Sequence, residues 1–196
     1  MKASPKIRIL TIAKHRFYSQ GYYHTGINQI IKESETAKAS FYDHFPSKQS
    51  LGVEVIRAYG VDVLIWFRQI LQKSHTPNDF ISEMTKAIQK QIHTDDSYYQ
   101  GCPIAIFSCQ FPVGEIPFSE EFKRIVSRWE SLFVVCIQKW KKNGYLQKNT
   151  KELELTRDLI TLYEGSLMNW RISLNEEYIH RVFDQMRERL KLEVKK

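Results

Sequence analysis

Residues 35–48 read ETAKASFYDHFPSK, and four rings, counting His44, fall within the five positions from Phe41 to Phe45. The flanks are small or basic: Ala37, Lys38, Ala39 and Ser40 lead in, and Pro46, Ser47 and Lys48 follow. Phe41 and Phe45 are four apart, so on a helix they share a face, while Tyr42 and His44 lie off it. Pro46 disfavours a helical residue before it and ends the segment. The stretch is therefore a short helix with two inward anchors, two outward polar rings and a small, basic entry.

The same periodicity extends in both directions. Upstream, Ile9, Leu10, Ile12, Ala13 and Phe17 line one face of a helix that Pro5 can open and Gly21 can close. Thr25 offers an N-cap to a second helix with Ile27, Ile30, Ile31 and Ser34 at the i, i+3, i+4, i+7 positions. A break at Ser34–Thr36 separates it from the quoted segment. Downstream, Ser47 is placed to cap a long helix striped by Leu51, Val55, Ile56, Tyr59, Val63, Phe67, Ile70 and Leu71. Thr76, Pro77 and Asp79 restart a helix as N-cap, N1 and first-turn acid. Residues 95–103 read as a loop before the apolar run Cys102–Phe111. Ser119 can cap a helix reaching Lys142, and Asn143-Gly144 stops it. Two final helices are expected over roughly 151–173 and 175–192, with Asn175 capping the second. About nine helices and no strand give an all-α chain.

Composition narrows the function. The 196 residues have 42% hydrophobic and 26% charged content, as in an ordinary globular protein. The longest apolar stretch, Leu132 to Ile137, is too short for a membrane span, and Lys6 and Arg8 interrupt any signal-peptide core, so a cytoplasmic protein is expected. The net charge of +7 is unevenly spread. Residues 1–60 hold nine Lys/Arg against four Asp/Glu, and the remainder twenty against eighteen. A basic segment ahead of a nearly neutral one suits a polyanionic partner for the first part. Cys102, Cys109 and Cys136 form no Cys-x-x-Cys pair, and the six histidines form no His-x-x-x-His pair. No Gly-x-Ser-x-Gly or phosphate-loop pattern occurs either, so no metal site, cofactor or catalytic motif is indicated.

Two short helices joined by a tight turn, the second opening on small and basic residues, describe a helix-turn-helix whose second helix enters the DNA major groove. Ala37 and Ala39 permit close approach, Lys38 can donate to guanine O6 and N7, and Ser40 can donate or accept. Tyr42, His44, Thr25 and Lys48 have groups able to reach phosphate oxygens.

The stretch ILTIAKHRFYSQGYYHTGINQIIKESETAKASFYDHFPSKQSLGVEVI resembles the DNA-binding domain of the tetracycline-repressor (TetR) family of transcriptional regulators. The matching elements are Ala13, Phe17, Gly21-Tyr22, Thr25, Ile27, Ile30, Lys38, Phe41 to Phe45, Ser47-Lys48 and Leu51. The resemblance implies a DNA-binding domain over residues 1–50, with its helix-turn-helix at about 28–47, and a ligand-binding and dimerisation domain over 51–196. It places phosphate contacts at Thr25, Tyr42, His44 and Lys48, and base readout around Thr36, Ala37, Lys38, Ala39 and Ser40. Glu35 stands where the family usually has a turn glycine, and a left-handed conformation there strains a residue with a Cβ. Thr36 is then available to cap the recognition helix.

The resemblance further implies a homodimer, a pseudo-palindromic operator of double-stranded DNA and a small-molecule effector. Leu162, Gly165 and Ser166, with Ile179, Val182, Phe183 and Met186 on the last helix, are the expected dimer surface, although the same residues would suit an intramolecular core. Trp66, Phe67, Phe107, Phe111, Trp129, Phe133 and Tyr163 are the expected effector-pocket lining, and each ring alone would equally suit core packing. That lining points to an apolar or aromatic, uncharged or weakly charged ligand. Cys102 is placed in the same pocket. If Cys102 and Cys109 share one helix face, with Cys102 in its first turn, a redox- or electrophile-sensing regulator is the alternative. The rival classes are an enzyme and an architectural DNA-binding protein without effector.

Overall fold

The computed structural model describes residues 3–93 and 99–191, and among them are nine α-helices and no strand. They are α1 (Pro5–Ser19), α2 (Ile27–Glu33), α3 (Lys38–His44), α4 (Lys48–Lys73), α5 (Pro77–Ile92), α6 (Pro103–Ser108), α7 (Phe118–Lys142), α8 (Glu152–Ser173) and α9 (Glu177–Lys191). Residues 95–98 of the expected loop, and residue 192 of the expected last helix, lie outside the described residues.

The helix ends follow local chemistry. Ser4 accepts from the Ile7 N–H with Pro5 at N1, and Gly21 (φ +92°) leads the chain out of α1 in the left-handed region. Ser47 and Ser50 cap α4 reciprocally, backbone to hydroxyl, at 3.0 Å each way. Thr76 and Asp79 form a capping box on α5. Asn175 accepts from the Glu177 N–H at 2.9 Å.

Four expectations are corrected. Gly26, not Thr25, is the N-cap of α2, and Ala37, not Thr36, is that of α3; neither makes a side-chain cap bond. Ser119 lies inside α7, which starts at Phe118, and its hydroxyl is buried without a partner. The run Cys102–Phe111 is not one helix, because α6 ends at Ser108 and turns follow.

The chain divides into two compact units. One holds the described residues up to Asp62 together with Pro103–Ile125; the other holds those of Val63–Cys102 and from Val126 onward. The first unit thus reaches well beyond residue 50 and takes in α6. Its core has two parts. Ile9, Ala13, Phe17, Ile30, Phe41, Phe45 and Leu51 close the three-helix head. Beside them Phe107 stacks on Phe17 (5.8 Å between centroids), and Phe111 packs on Tyr22 (5.1 Å) and Phe118 (4.2 Å). Gln110 accepts from the Tyr22 N–H at 2.5 Å and donates to the Phe17 carbonyl at 3.3 Å, tying the α6 end to the exit of α1. In α4 a Cβ on Gly60 would stand 2.6 Å from Ile125 Cγ1, so only glycine permits that approach.

In the second unit Phe67 is ringed by Trp66, Trp129, Phe133 and Tyr163, with centroids 5.0 to 5.5 Å away. Trp140 is fully buried and donates its Nε1–H to the Ser74 carbonyl at 3.0 Å, closing the α4–α5 corner. α9 packs against α8 and α5, and Ile179, Val182, Phe183, Met186 and Leu190 are buried there within one chain. Ile179, Val182, Phe183 and Met186 are therefore intrachain core and not a free dimer surface. The same holds for Ser166, buried on α8 with its hydroxyl on the Tyr163 carbonyl.

Candidate nucleic-acid interface and effector site

The recognition segment is held by its neighbours. Arg8 reaches from α1 to the turn after α2, its Nε donating to the Ser34 carbonyl at 2.9 Å and its Nη2 to the Glu35 carbonyl at 3.0 Å. Arg16 pairs with Glu33 at 2.7 Å, pinning α2 to α1. Glu35 takes φ +50°, the left-handed conformation expected where a glycine would be strain-free, and Arg8 on its carbonyl helps hold it there. Arg8 was not legible as a functional residue, because an arginine on a first helix reads as a solvated charge.

Within α3 the two faces separate cleanly. Phe41 and Phe45 are buried in the head, with ring centroids 6.0 Å apart. Ala37, Lys38, Ala39, Tyr42 and His44 are exposed, and Thr36 and Ser40 half-buried. The outward face thus offers two methyls, an ammonium, hydroxyls and an imidazole. These are groups that can meet thymine methyls, guanine acceptors and phosphate oxygens. Two of the expected phosphate ligands are placed differently. Thr25 is fully buried, and its hydroxyl donates to the Gly21 carbonyl at 2.7 Å, so it shapes the α1–α2 corner instead of facing solvent. The Lys48 ammonium lies 4.5 Å from the Tyr22 ring centroid and 3.4 Å from the Tyr23 carbonyl; burial lowers its pKa. It would have to leave that ring to meet a phosphate.

Of the expected effector residues, Trp66, Phe67, Trp129, Phe133 and Tyr163 are brought together around Phe67 in the second unit. Phe107 and Phe111 are not with them; they belong to the aromatic core of the first unit. Cys102 is buried in the second unit, beside Glu164 of α8. The sequence reading missed Glu164. Desolvation raises its pKa to about 7, with the Cys102 thiol pulling weakly the other way. Neither carboxylate oxygen has a hydrogen-bond partner that meets normal geometry, and the Trp129 Nε1–H is likewise buried and unpaired. Cys102 and Cys109 do not share a helix face: they flank α6, one buried and one exposed. A neighbouring carboxylate favours the thiol of Cys102 over the reactive thiolate, and burial lifts Cys136 to about 11.

Comparison with known proteins decides the family. The family of bacterial regulatory proteins, tetR family, matches residues 9–55. The HTH-type transcriptional regulator YxaF of Bacillus subtilis is 28% identical over 162 residues, covering 82% of each chain. The HTH-type transcriptional repressor DhaR of Mycobacterium sp. is 26% identical over 162 residues, covering 82% of this chain and 79% of its own. This chain is a TetR-family transcriptional regulator. The fold agrees: a TetR-family regulator from Cytophaga hutchinsonii superposes with a TM-score of 0.84 over 100% of both chains at 18% identity. The reduced form of NemR from E. coli does so with a TM-score of 0.80, covering 94% and 96%, at 17% identity. As a TetR-family regulator the chain is not an enzyme. The stretch matched to the family spans α1, α2 and α3 and ends in the first turns of α4, so the outward face of α3 lies wholly inside it. Among the described residues no helix is long and apolar enough to cross a membrane.

Proposed function

We propose that this TetR-family regulator is a repressor that holds a pseudo-palindromic operator as a homodimer and releases it when a small aromatic effector enters the second unit. The observation that carries the reading is the outward face of α3. Lys38 and Ser40 are fixed beside two methyls by buried Phe41 and Phe45, so the reading groups are held on a rigid support. Repression is supported by the likeness to DhaR, a protein named as a repressor. An effector is supported by the rings about Phe67, which supply more aromatic area than a bundle of this size requires.

For the dimer, the exposed side of α8 fits best. Gly165 has open space where a Cβ would stand, and Ile172 is 74% exposed. With Leu162 and Asn169 they form a self-complementary strip for a two-fold contact. Release follows from α4, which carries Lys48 at one end and Trp66 and Phe67 near the other. A ligand wedged at those rings shifts α4 and with it the reading head. Two heads must match one groove spacing, so a small tilt separates them. Effector and operator then weaken each other by about 1–3 kcal/mol.

Selection of bound duplexes from a random DNA library tests the base-reading role. The wild-type chain should enrich a pseudo-palindrome, and Lys38→Ala should relax preference at one position in each half-site while still binding DNA. An unchanged preference in Lys38→Ala would remove Lys38 from base readout.

A further inference from the structure

The uncharged effector expected from the rings takes no account of Glu164. This carboxylate is in the interior of the second unit, directly after Tyr163, whose ring packs on Phe67 and Trp66. Both of its oxygens are shielded from water and lack a well-placed donor, and the weak Cys102 thiol is the polar group beside it. A buried acid is tolerable while protonated, but an apolar residue of the same size would cost nothing there. Its basic neighbour along α8, Arg171, is two turns further on and is engaged elsewhere: Nη1 donates to Oε1 of Gln100 at 2.9 Å and to the Gln100 carbonyl at 3.1 Å. The interior therefore holds an acid whose counter-charge the protein does not supply. Close by are electron-rich ring faces, the other group that attracts a cation.

We propose that the effector site in this unit takes an aromatic ligand bearing a protonated amine, with Glu164 as its counter-ion and the rings around Phe67 holding its flat body. This rests on the effector reading above and narrows it. An ammonium would donate to Glu164 and convert a costly carboxylate into a paired one. A ligand with a carboxylate of its own would put two like charges in one dry space and be rejected.

Three probes of one shape test it: 2-(aminomethyl)naphthalene, 2-(hydroxymethyl)naphthalene and 2-naphthoic acid, titrated calorimetrically into the full chain at neutral pH. The amine should bind at least tenfold more tightly than the alcohol, and the acid more weakly than both. Glu164→Gln should bring the amine to the level of the alcohol and leave the alcohol unchanged. Equal affinities for amine and alcohol in the wild-type chain would overturn the counter-ion role without any variant, as would an amine preference that survives Glu164→Gln. A parallel titration of operator-bound protein separates the two readings. If the alcohol binds and releases DNA but the amine has no advantage, only the present inference falls. If none of the three binds, the inference and the aromatic effector site fall together.

Discussion

Glu164→Gln should change how stability depends on pH, and the size of the effect follows from the burial of one carboxyl group. Desolvation moves Glu164 from an ordinary value of 4.5 to about 7 in the folded chain. Below 4.5 the group is protonated in both states and costs nothing. Between 4.5 and 7 the unfolded chain loses the proton while the folded chain keeps it, so stability falls as pH rises. Above 7 the loss is complete. At about 1.4 kcal/mol per pH unit, the full difference is on the order of 3 kcal/mol. Glutamine mimics the protonated acid, so the variant should match the wild type near pH 4.5 and exceed it by roughly that amount at pH 8. In a chain of this length that is a melting temperature higher by about 6–12 °C. Urea unfolding of both proteins at half-unit steps from pH 4.5 to 8 gives the difference curve, in which the other titrating groups cancel. Glu33, Glu83 and Glu152, whose pKa values are lowered by Arg16, Lys86 and Lys141, lose their contributions at more acid pH in both proteins alike. A difference that stays flat across this range, or favours the wild type at pH 8, would show that Glu164 is not desolvated as described.

Two further predictions test corrected assignments. Thr25→Val removes the buried hydroxyl bond to the Gly21 carbonyl, so it should cost about 1 kcal/mol in chemical denaturation and leave the salt slope of DNA binding unchanged; a slope reduced by about one would restore Thr25 as a phosphate ligand. Phe183→Asp and Ile172→Glu should part company. The first puts a charge into the α5–α8–α9 core and should lose helical circular dichroism at 25 °C, whereas the second should keep it and elute as a monomer with light-scattering detection.

What the sequence made legible was the part ruled by short-range chemistry. Phe41 and Phe45 point inward and Lys38, Tyr42 and His44 outward because spacing on one short helix determines which face each occupies. The left-handed Glu35 was foreseeable from the turn it occupies. Longer-range partners were not foreseeable. Helical spacing shows that Phe107 and Phe111 need a core but not which one, and they went to the first unit. The stripe of α9 is the same whether its partner is α8 of its own chain or a second copy. The seven-residue step between Cys102 and Cys109 implied a shared face only if one helix ran through both, and α6 ends at Ser108. Glu164 left no signal, since a lone glutamate between Tyr163 and Gly165 on an amphipathic helix reads as solvated. Only packing of the 99–102 segment near it revealed an acid shut away from water.

The most direct test is the affinity of the chain for its selected duplex, compared with the same duplex in which one half-site is scrambled, measured by fluorescence anisotropy at a fixed salt concentration. The intact duplex should take up two protomers together, and scrambling one half-site should weaken binding by about a hundredfold, since the second head then loses its high effective concentration. Equal affinity for the intact and half-scrambled duplexes would contradict a dimeric reader that grips both half-sites through α3.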